Sequence, residues 1–467
     1  MTEEFRGKTV AVVGLARSGA ACADVLTRLG ARVQVYDNRP EPMLNPAHVA
    51  AVRALGIEPS LGGAPVNYVG LDILITSPGV PKNAPVLQDA VAAGIPVWGE
   101  IEAAYRVARA PILAITGTNG KTTTTMLLGE MLRAAGMDTY IAGNIAAGDI
   151  AMPLIQAAYQ AGPEAAIVAE ISSFQLEWVS TFRPKVAALL NITPDHADRQ
   201  TWDEYVSAKW RIFAYQTADD HAVLSENLNS GGTLRAMEWA FGNVLSEEYG
   251  VWRGGEVVQS DNDPVYLRRD LDDKEWPLIC RVAEIKLPGA HNVENVMAAA
   301  AMATAFGIGL DPIRQVATTF TGVVHRLEYV ETKRSVRYVN NSMCTNVAAF
   351  ARSLEALPEP KVVIAGGVFK GSAAEMGEWA QALMGNNVRA LVLIGQSAAE
   401  MEDAARGAGY ANLHQAVSLA EAVRTAQGLA QAGDTVLLAP ACASFDMFTD
   451  FEERGEQFKQ CARSLPD

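Results

Sequence analysis

Ala110-Pro-Ile-Leu-Ala-Ile-Thr-Gly-Thr-Asn-Gly-Lys-Thr-Thr-Thr-Thr125 is the stretch whose reading decides the fold. It predicts a buried strand over 112–116, a glycine-rich turn over 117–120 and a helix opening at 121–123. That order suits a nucleoside triphosphate. Glycines let backbone N–H groups approach phosphate oxygens, a helix N-terminus favours anions, and a lysine and a threonine add charge and a metal ligand. The first glycine of a strict G-x-x-x-x-G-K-[ST] loop falls at Ile115. The stretch is therefore a variant of that loop or an ordinary strand-to-helix turn, and Gly-Lys-Thr at the helix start favours phosphate binding.

Around this stretch the chain has the composition of an ordinary globular protein. Its 467 residues predict about three domains. Hydrophobic residues make up 49% and charged residues 19%, unlike a disordered chain. A net charge of −15 argues against a nucleic-acid surface, which needs a basic groove. The five cysteines, Cys22, Cys280, Cys344, Cys442 and Cys461, show no metal-ligand spacing, and reduced thiols in a cytoplasm are expected. Glu3, Glu4, Arg6 and Lys8 do not resemble a signal peptide, and no apolar run approaches roughly 18 residues, so no membrane span is expected.

The first strand, over 9–14, runs into Gly14-Leu-Ala-Arg-Ser-Gly19, a Rossmann-like turn whose middle glycine is Ala16. A helix to Leu29 and a strand over 33–36 ending at Asp37 complete a βαβ start. Three readings stay open for this turn: a dinucleotide site with Asp37 on a ribose, a turn that binds nothing, or a seat for the nucleotide end of another ligand. Strands are expected over 73–76, before Ser77, and over 97–101. In the second unit Glu170 ends an apolar strand over 166–171, and His196 follows another over 186–192. Both belong at the carboxyl-end crevice of an open α/β sheet, where a buried acid requires a metal or a basic partner. Lys209 lies on an amphipathic helix over 202–215; residues 227–273 show no clear strands; 287–292 cap an alanine-rich helix to about 306. Strands over 336–340, 361–365, 391–394 and 435–438, with helices between, predict a third, mostly parallel sheet. The fold class is thus α/β, three domains in series over 1–109, 110–322 and 323–467.

Thr116-Gly-Thr-Asn-Gly-Lys-Thr122, Ala169-Glu-Ile-Ser-Ser-Phe-Gln-Leu-Glu177, Asn191-Ile-Thr-Pro-Asp-His-Ala-Asp-Arg199 and Gly289-Ala-His-Asn-Val-Glu-Asn295 occur in the order seen in the Mur ligases. These are the ATP-dependent amino-acid-adding enzymes of peptidoglycan synthesis, and the chain resembles them from about Gly7 to its C-terminus. Ser-Ser-Phe-Gln-Leu-Glu and Ala439-Pro-Ala-Cys-Ala-Ser444 resemble the D-glutamate-adding branch. The resemblance implies a Rossmann-like first domain, a P-loop-type ATP-binding second domain and a Rossmann-like third. It implies that the first holds the UDP end of UDP-N-acetylmuramoyl-L-alanine through Arg17, Ser18, Asp37, Arg39 and Ser77, with Asn144 also on that substrate. Gly117, Thr118, Asn119, Gly120, Lys121, Thr122 and Thr123 are implied to hold the phosphates of ATP, with Asn292, Asn295 and Arg326 nearby. Magnesium would take Thr122, Glu170, His196 and a carbamylated Lys209. Lys121, Glu170, His196 and Lys209 are the implied catalytic group, and Thr345, Lys370, Ser444 and Phe451 would seat D-glutamate. The implied reaction activates the substrate carboxylate as an acyl phosphate, which the amino group of glutamate displaces, and the third domain would close onto the second. A cytoplasmic monomer is implied, with small-molecule substrates and neither nucleic acid nor membrane as partner.

The chain departs from the family in one motif. Members carry Asn-Asp-Ser-Lys-Ala-Thr-Asn where this chain has Asn340-Asn-Ser-Met-Cys-Thr-Asn346. Asn341 can still hydrogen-bond a ribose hydroxyl, whereas Met343 cannot attract a carboxylate. Addition of another amino acid, such as L-glutamate, and a non-catalytic nucleotide-binding homologue are the alternatives. A nucleotide-dependent dehydrogenase would rest on Gly14 to Gly19 and Asp37 alone, leaving Lys121, Glu170 and His196 unexplained.

Overall fold

The computed structural model describes residues 3–145, 152–193, 201–242, 250–253, 263–268, 276–287, 289–322, 324–357 and 359–466. Short apolar runs alternate with amphipathic helices along the chain, and such runs bury both faces in parallel sheets covered by helices. A four-stranded sheet runs in the order Arg32–Tyr36, Thr9–Val13, Ile73–Thr76, Val97–Gly99, every pair parallel. Its strand order reverses between Thr9–Val13 and Ile73–Thr76. Gly14 and Ser77 therefore sit at a topological switch point, the usual place for a ligand in an open α/β sheet.

The second sheet has nine strands. At its centre Ile112–Thr116 lies between Ala166–Glu170 and Val186–Leu189, with Thr139–Gly143 beyond Ala166–Glu170, all parallel. Ile115 pairs with Glu170 and Thr116 with Leu189, so three carboxyl ends meet at one edge. On the far side follow His221–Ser225, Met237–Gly242, Gly250–Arg253, Pro264–Arg268 and Leu278–Arg281, with Pro264–Arg268 antiparallel to both of its neighbours. Three of these strands lie in the stretch where the sequence shows none. Each is only four to six residues long, too short to declare a period among glycines and charges.

The helix Lys121–Ala134 covers one face of this sheet and packs on Ala290–Ala305. Leu127, Leu128, Met131 and Leu132 meet Val296, Met297 and Ala300 in one apolar cluster. The expected strand over 97–101 stops at Gly99, and a helix, Glu100–Val107, begins there. Two acidic residues, Glu100 and Glu102, fall in its first turn, and the helix dipole there favours the charged form of Glu102. No described helix is long and apolar enough to cross a membrane.

Two compact units result. The four- and nine-stranded sheets belong to one, within residues 1–321; the second, within 322–467, holds a six-stranded sheet. Its order is Glu328–Lys333, Val336–Asn340, Thr435–Leu438, Lys361–Gly366, Val388–Ile394, Leu413–Gln415. Only the first pair is antiparallel.

Candidate active site

The loop after Ile112–Thr116 is shaped by backbone demands that only glycine meets. Gly120 has φ +83°, and a Cβ there would lie 2.2 Å from Asn295 Oδ1. Asn295, 6% exposed, accepts a bond from Thr124 Oγ1 (3.3 Å) and donates to Asn292 Oδ1 (3.0 Å). The two asparagines thus brace the loop and its helix from below. From the neighbouring strand end, Asn191 Oδ1 accepts from the N–H groups of Thr118 (3.1 Å) and Asn119 (2.8 Å), and its Nδ2 donates to Asn119 O (3.1 Å). Thr118 Oγ1 is further tied to Thr193 O and the Tyr205 hydroxyl. Asn191 stands first in the motif Asn191 to Arg199, but its role depends on a partner 72 residues away, which local sequence does not show.

Two ammonium groups converge on one carbonyl. Lys121 Nζ donates to Gly117 O (2.9 Å) and Thr118 O (2.8 Å), and Lys209 Nζ donates to the same Gly117 O (2.8 Å). Lys209 is 2% exposed and stands 4.5 Å over the Tyr205 ring. Thr122 Oγ1 donates to Glu170 Oε2 at 2.6 Å, and Glu170 is 4% exposed at the end of its strand. Thr123 follows in the first turn of the same helix. Lys121, Thr122, Glu170 and Lys209 therefore share one sheet edge. His196 lies outside the described residues. Among the described residues no group of three or more His, Cys, Asp or Glu could hold a metal. The Thr122 hydroxyl and Glu170 carboxylate are hard oxygen donors, which fit magnesium completed by phosphate oxygens and water.

At the first sheet's switch point Gly14 has φ +97°, and a Cβ on Gly19 would lie 1.9 Å from Gly14 O. Ser77 Oγ donates to that carbonyl (2.8 Å). Asp37 accepts the Leu15 N–H (2.7 Å) and is gripped by Arg39 at both oxygens (3.0 and 2.9 Å). Burial pushes the Asp37 carboxyl up, but Arg39 and the two N–H bonds outweigh it and hold it below its ordinary value. Ser77 and Asp37 thus shape the turn. Ser18 is half-buried on it, and Arg17 Nη2 reaches the carbonyls of Gly143 (3.2 Å) and Ile145 (3.3 Å). Between them, the Asn144 N–H donates to Glu170 O (2.8 Å) and its side chain stays exposed.

In the second unit the motif over 340–346 turns inward. Asn341 Nδ2 donates to Ser353 Oγ (2.5 Å), its Oδ1 accepts the Leu327 N–H (3.2 Å), and Met343 is 4% exposed. The amide of Asn341, which could hydrogen-bond a ribose hydroxyl, is instead engaged inside the fold. Thr345 is half-buried and Ser444 buried. Phe451 opens the helix Phe451–Arg463 and stands edge-on to His325. Arg454 on that helix, 1% exposed, donates to Ser342 Oγ, Ser342 O and Cys442 O, tying together the loops that carry Thr345 and Ser444. Burial lowers its guanidinium to about 10. Arg326 lies between His325 (φ +64°) and Leu327 (φ +43°), left-handed conformations that cost energy outside glycine and collect at functional sites.

Three family models match in series: the MurD-like N-terminal domain of Mur ligases at residues 8–99, the Mur ligase middle domain at 115–303, and the Mur ligase glutamate ligase domain at 325–442. The chain is 44% identical to a UDP-N-acetylmuramoylalanine--D-glutamate ligase of Pelotomaculum thermopropionicum, over 100% of this chain and 99% of that one. A protein of the same name from Caldanaerobacter subterraneus subsp. tengcongensis is 42% identical, over 99% of each. Among solved structures, a murein peptide ligase from Psychrobacter arcticus aligns with a TM-score of 0.49 at 16% identity, over 99% of this chain and 100% of that one.

Proposed function

The chain belongs to the Mur ligase family, and we infer that it adds D-glutamate to UDP-N-acetylmuramoyl-L-alanine in an ATP-dependent step of peptidoglycan precursor synthesis. The observation that carries the chemistry is the Lys121 ammonium held on the Gly117 and Thr118 carbonyls, with the Thr122–Glu170 contact and the buried Lys209 beside it. The substrate carboxylate and the γ-phosphate are both anions, and bringing them together in line requires local positive charge and fixed positions. Transfer of the phosphoryl group to the carboxylate gives an acyl phosphate and ADP. The glutamate nitrogen then attacks the acyl carbon, phosphate leaves, and an amide forms.

In this reading the N–H groups and Lys121 of the loop hold the phosphates, and Asn292 and Asn295 keep the loop in place. Thr122 and Glu170 would hold magnesium, with His196 and a carbamylated Lys209 as its further ligands; the metal would neutralise charge on the phosphoryl group. A carbamate nitrogen keeps one N–H, which preserves a donor for Gly117 O. Arg17, Ser18, Asp37, Arg39, Ser77 and Asn144 make up the proposed sugar-nucleotide end. Thr345, Lys370, Ser444 and Phe451 are the proposed seat of glutamate, with Arg326 serving ATP. The enzyme so described is a cytoplasmic monomer with small-molecule partners. Met343, which supplies no charge, is the observation that favours a second reading, addition of another amino acid such as L-glutamate.

Phosphate release with ATP, magnesium and UDP-N-acetylmuramoyl-L-alanine, measured across D- and L-amino acids, tests this. Release with D-glutamate alone is expected. Preference for another amino acid would overturn the specificity and leave the ligase class standing, and no release with any would leave a non-catalytic homologue.

A further inference from the structure

Two loops of the second unit meet beside the proposed glutamate seat. Val368 and Ala443 form an antiparallel bridge, with N–H to carbonyl bonds of 2.9 and 3.0 Å. Gly367 allows this approach: it has φ +129°, and a Cβ on it would lie 2.3 Å from Ala443 O. Two residues past the bridge on one loop is Lys370, and two past it on the other is Phe445. The Lys370 ammonium stands 4.8 Å from the centre of the Phe445 ring. Phe445 is 66% exposed although it is a large apolar side chain adjoining buried Ser444. An exposed phenyl ring adds nothing to the core, but its face attracts a cation, and the attraction grows as water is excluded.

We propose that Phe445 is a positioning residue for amino-acid recognition: its ring holds the Lys370 ammonium where the side-chain carboxylate of the incoming acidic amino acid is bound. The proposal rests on the glutamate-adding function inferred above. With Met343 buried and uncharged, the motif over 340–346 supplies no cation for that carboxylate. Lys370 is the charge that remains on the opposing loop, and it ends a flexible four-carbon stem whose freedom weakens binding unless something restrains the head. A ring face restrains it without neutralising it, as a carboxylate partner would.

The test compares Phe445→Leu, Phe445→Ala and Phe445→Tyr with the unaltered enzyme by phosphate release at varied amino-acid concentration. Leu keeps apolar bulk but has no ring; Tyr keeps the ring. The expected result is a KM for the amino acid raised about 5- to 30-fold in the Leu and Ala variants. The KM for ATP and for the sugar nucleotide should be unchanged, kcat within about twofold, and Tyr close to the unaltered enzyme. In the Lys370→Met background, Phe445→Leu should have no further effect on the KM. Equal KM values for Leu and the unaltered enzyme, a Tyr variant as poor as Leu, or additive effects with Lys370→Met would each overturn the proposal. An unaltered enzyme that releases no phosphate with any amino acid would instead overturn the glutamate-adding reading, so the two failures are distinguishable.

Discussion

Asn191 illustrates how one side chain can set a glycine-rich loop. Its amide accepts two loop N–H groups and donates to a loop carbonyl, a pattern neither a carboxylate nor an alkyl group can reproduce. Asn191→Ala should raise the KM for ATP by about tenfold or more through lost positioning. Its melting temperature should shift little, because water can reach the exposed Asn119 N–H; unchanged ATP kinetics would refute the role. Lys209 poses a sharper question. Its ammonium donates to Gly117 O and stands over the Tyr205 ring, a setting that suits a cation, whereas the metal role needs a carbamate. With 13C-bicarbonate, a carbamate carbon signal should appear in the unaltered protein and vanish in Lys209→Ala, which should be folded and inactive, with partial rescue by a short carboxylate. Full activity in that variant would remove the carbamate from the account. The role of Lys209 follows from the family resemblance, whereas that of Asn191 does not, because a hydrogen bond across 72 residues leaves no mark on local sequence.

At the scale of elements, the glycine turn and the helix after Gly99 carry the strongest expectations. Gly120→Ala would place a methyl against Asn295 at a left-handed φ, costing about 1–3 kcal/mol. ATP should then no longer raise the melting temperature; undiminished protection would count against the brace. Glu100 opens the helix Glu100–Val107 wholly buried, accepting the Ile155 N–H at 2.8 Å. Burial pushes its carboxyl up to about 7 from an ordinary 4.5, against the lowering effect of Ile155, Arg17, Leu154 and Gln175. The folded state therefore keeps a proton that the unfolded chain has released. This stabilising contribution is full below about 4.5 and is lost as pH rises towards 7. Glu100→Gln should flatten the fall in melting temperature between pH 5 and 8, and an unchanged slope would show that Glu100 does not titrate there. The sequence suggests a strand over 97–101 because Val97, Trp98 and Ile101 look like a buried run; two carboxylates satisfied inside the fold reverse that reading. Glu102, fully buried, accepts the N–H groups of Ser180, Thr181 and Phe182, partners that local sequence cannot reveal.

For the molecule as a whole, a net charge of −15 means that an anionic nucleotide is held by local donors against the overall field. ATP with magnesium at ~100 times its Kd should add about 2.7 kcal/mol to the stability of the unit that carries the loop. Hydrogen exchange across 117–134 should slow accordingly, and removal of the metal with a chelator should abolish most of the effect. Uniform protection of both units, or none, would argue against a nucleotide site at this loop. The alternation of apolar runs with helical stretches, the glycines at 117 and 120, Lys121 at a helix start and Glu170 at a strand end were all determined by the sequence itself. They arise from local propensity and from short-range demands of backbone and phosphate, which a few adjacent residues express. Tertiary structure alone decided that Lys209 joins Lys121 on the Gly117 carbonyl, that Asp37 and Ser77 turn inward to hold their own loop, and that Asn341 and Met343 are buried. Each of those outcomes depends on which distant segment a side chain meets, and on whether a buried polar group finds a partner there, which only the packed chain settles.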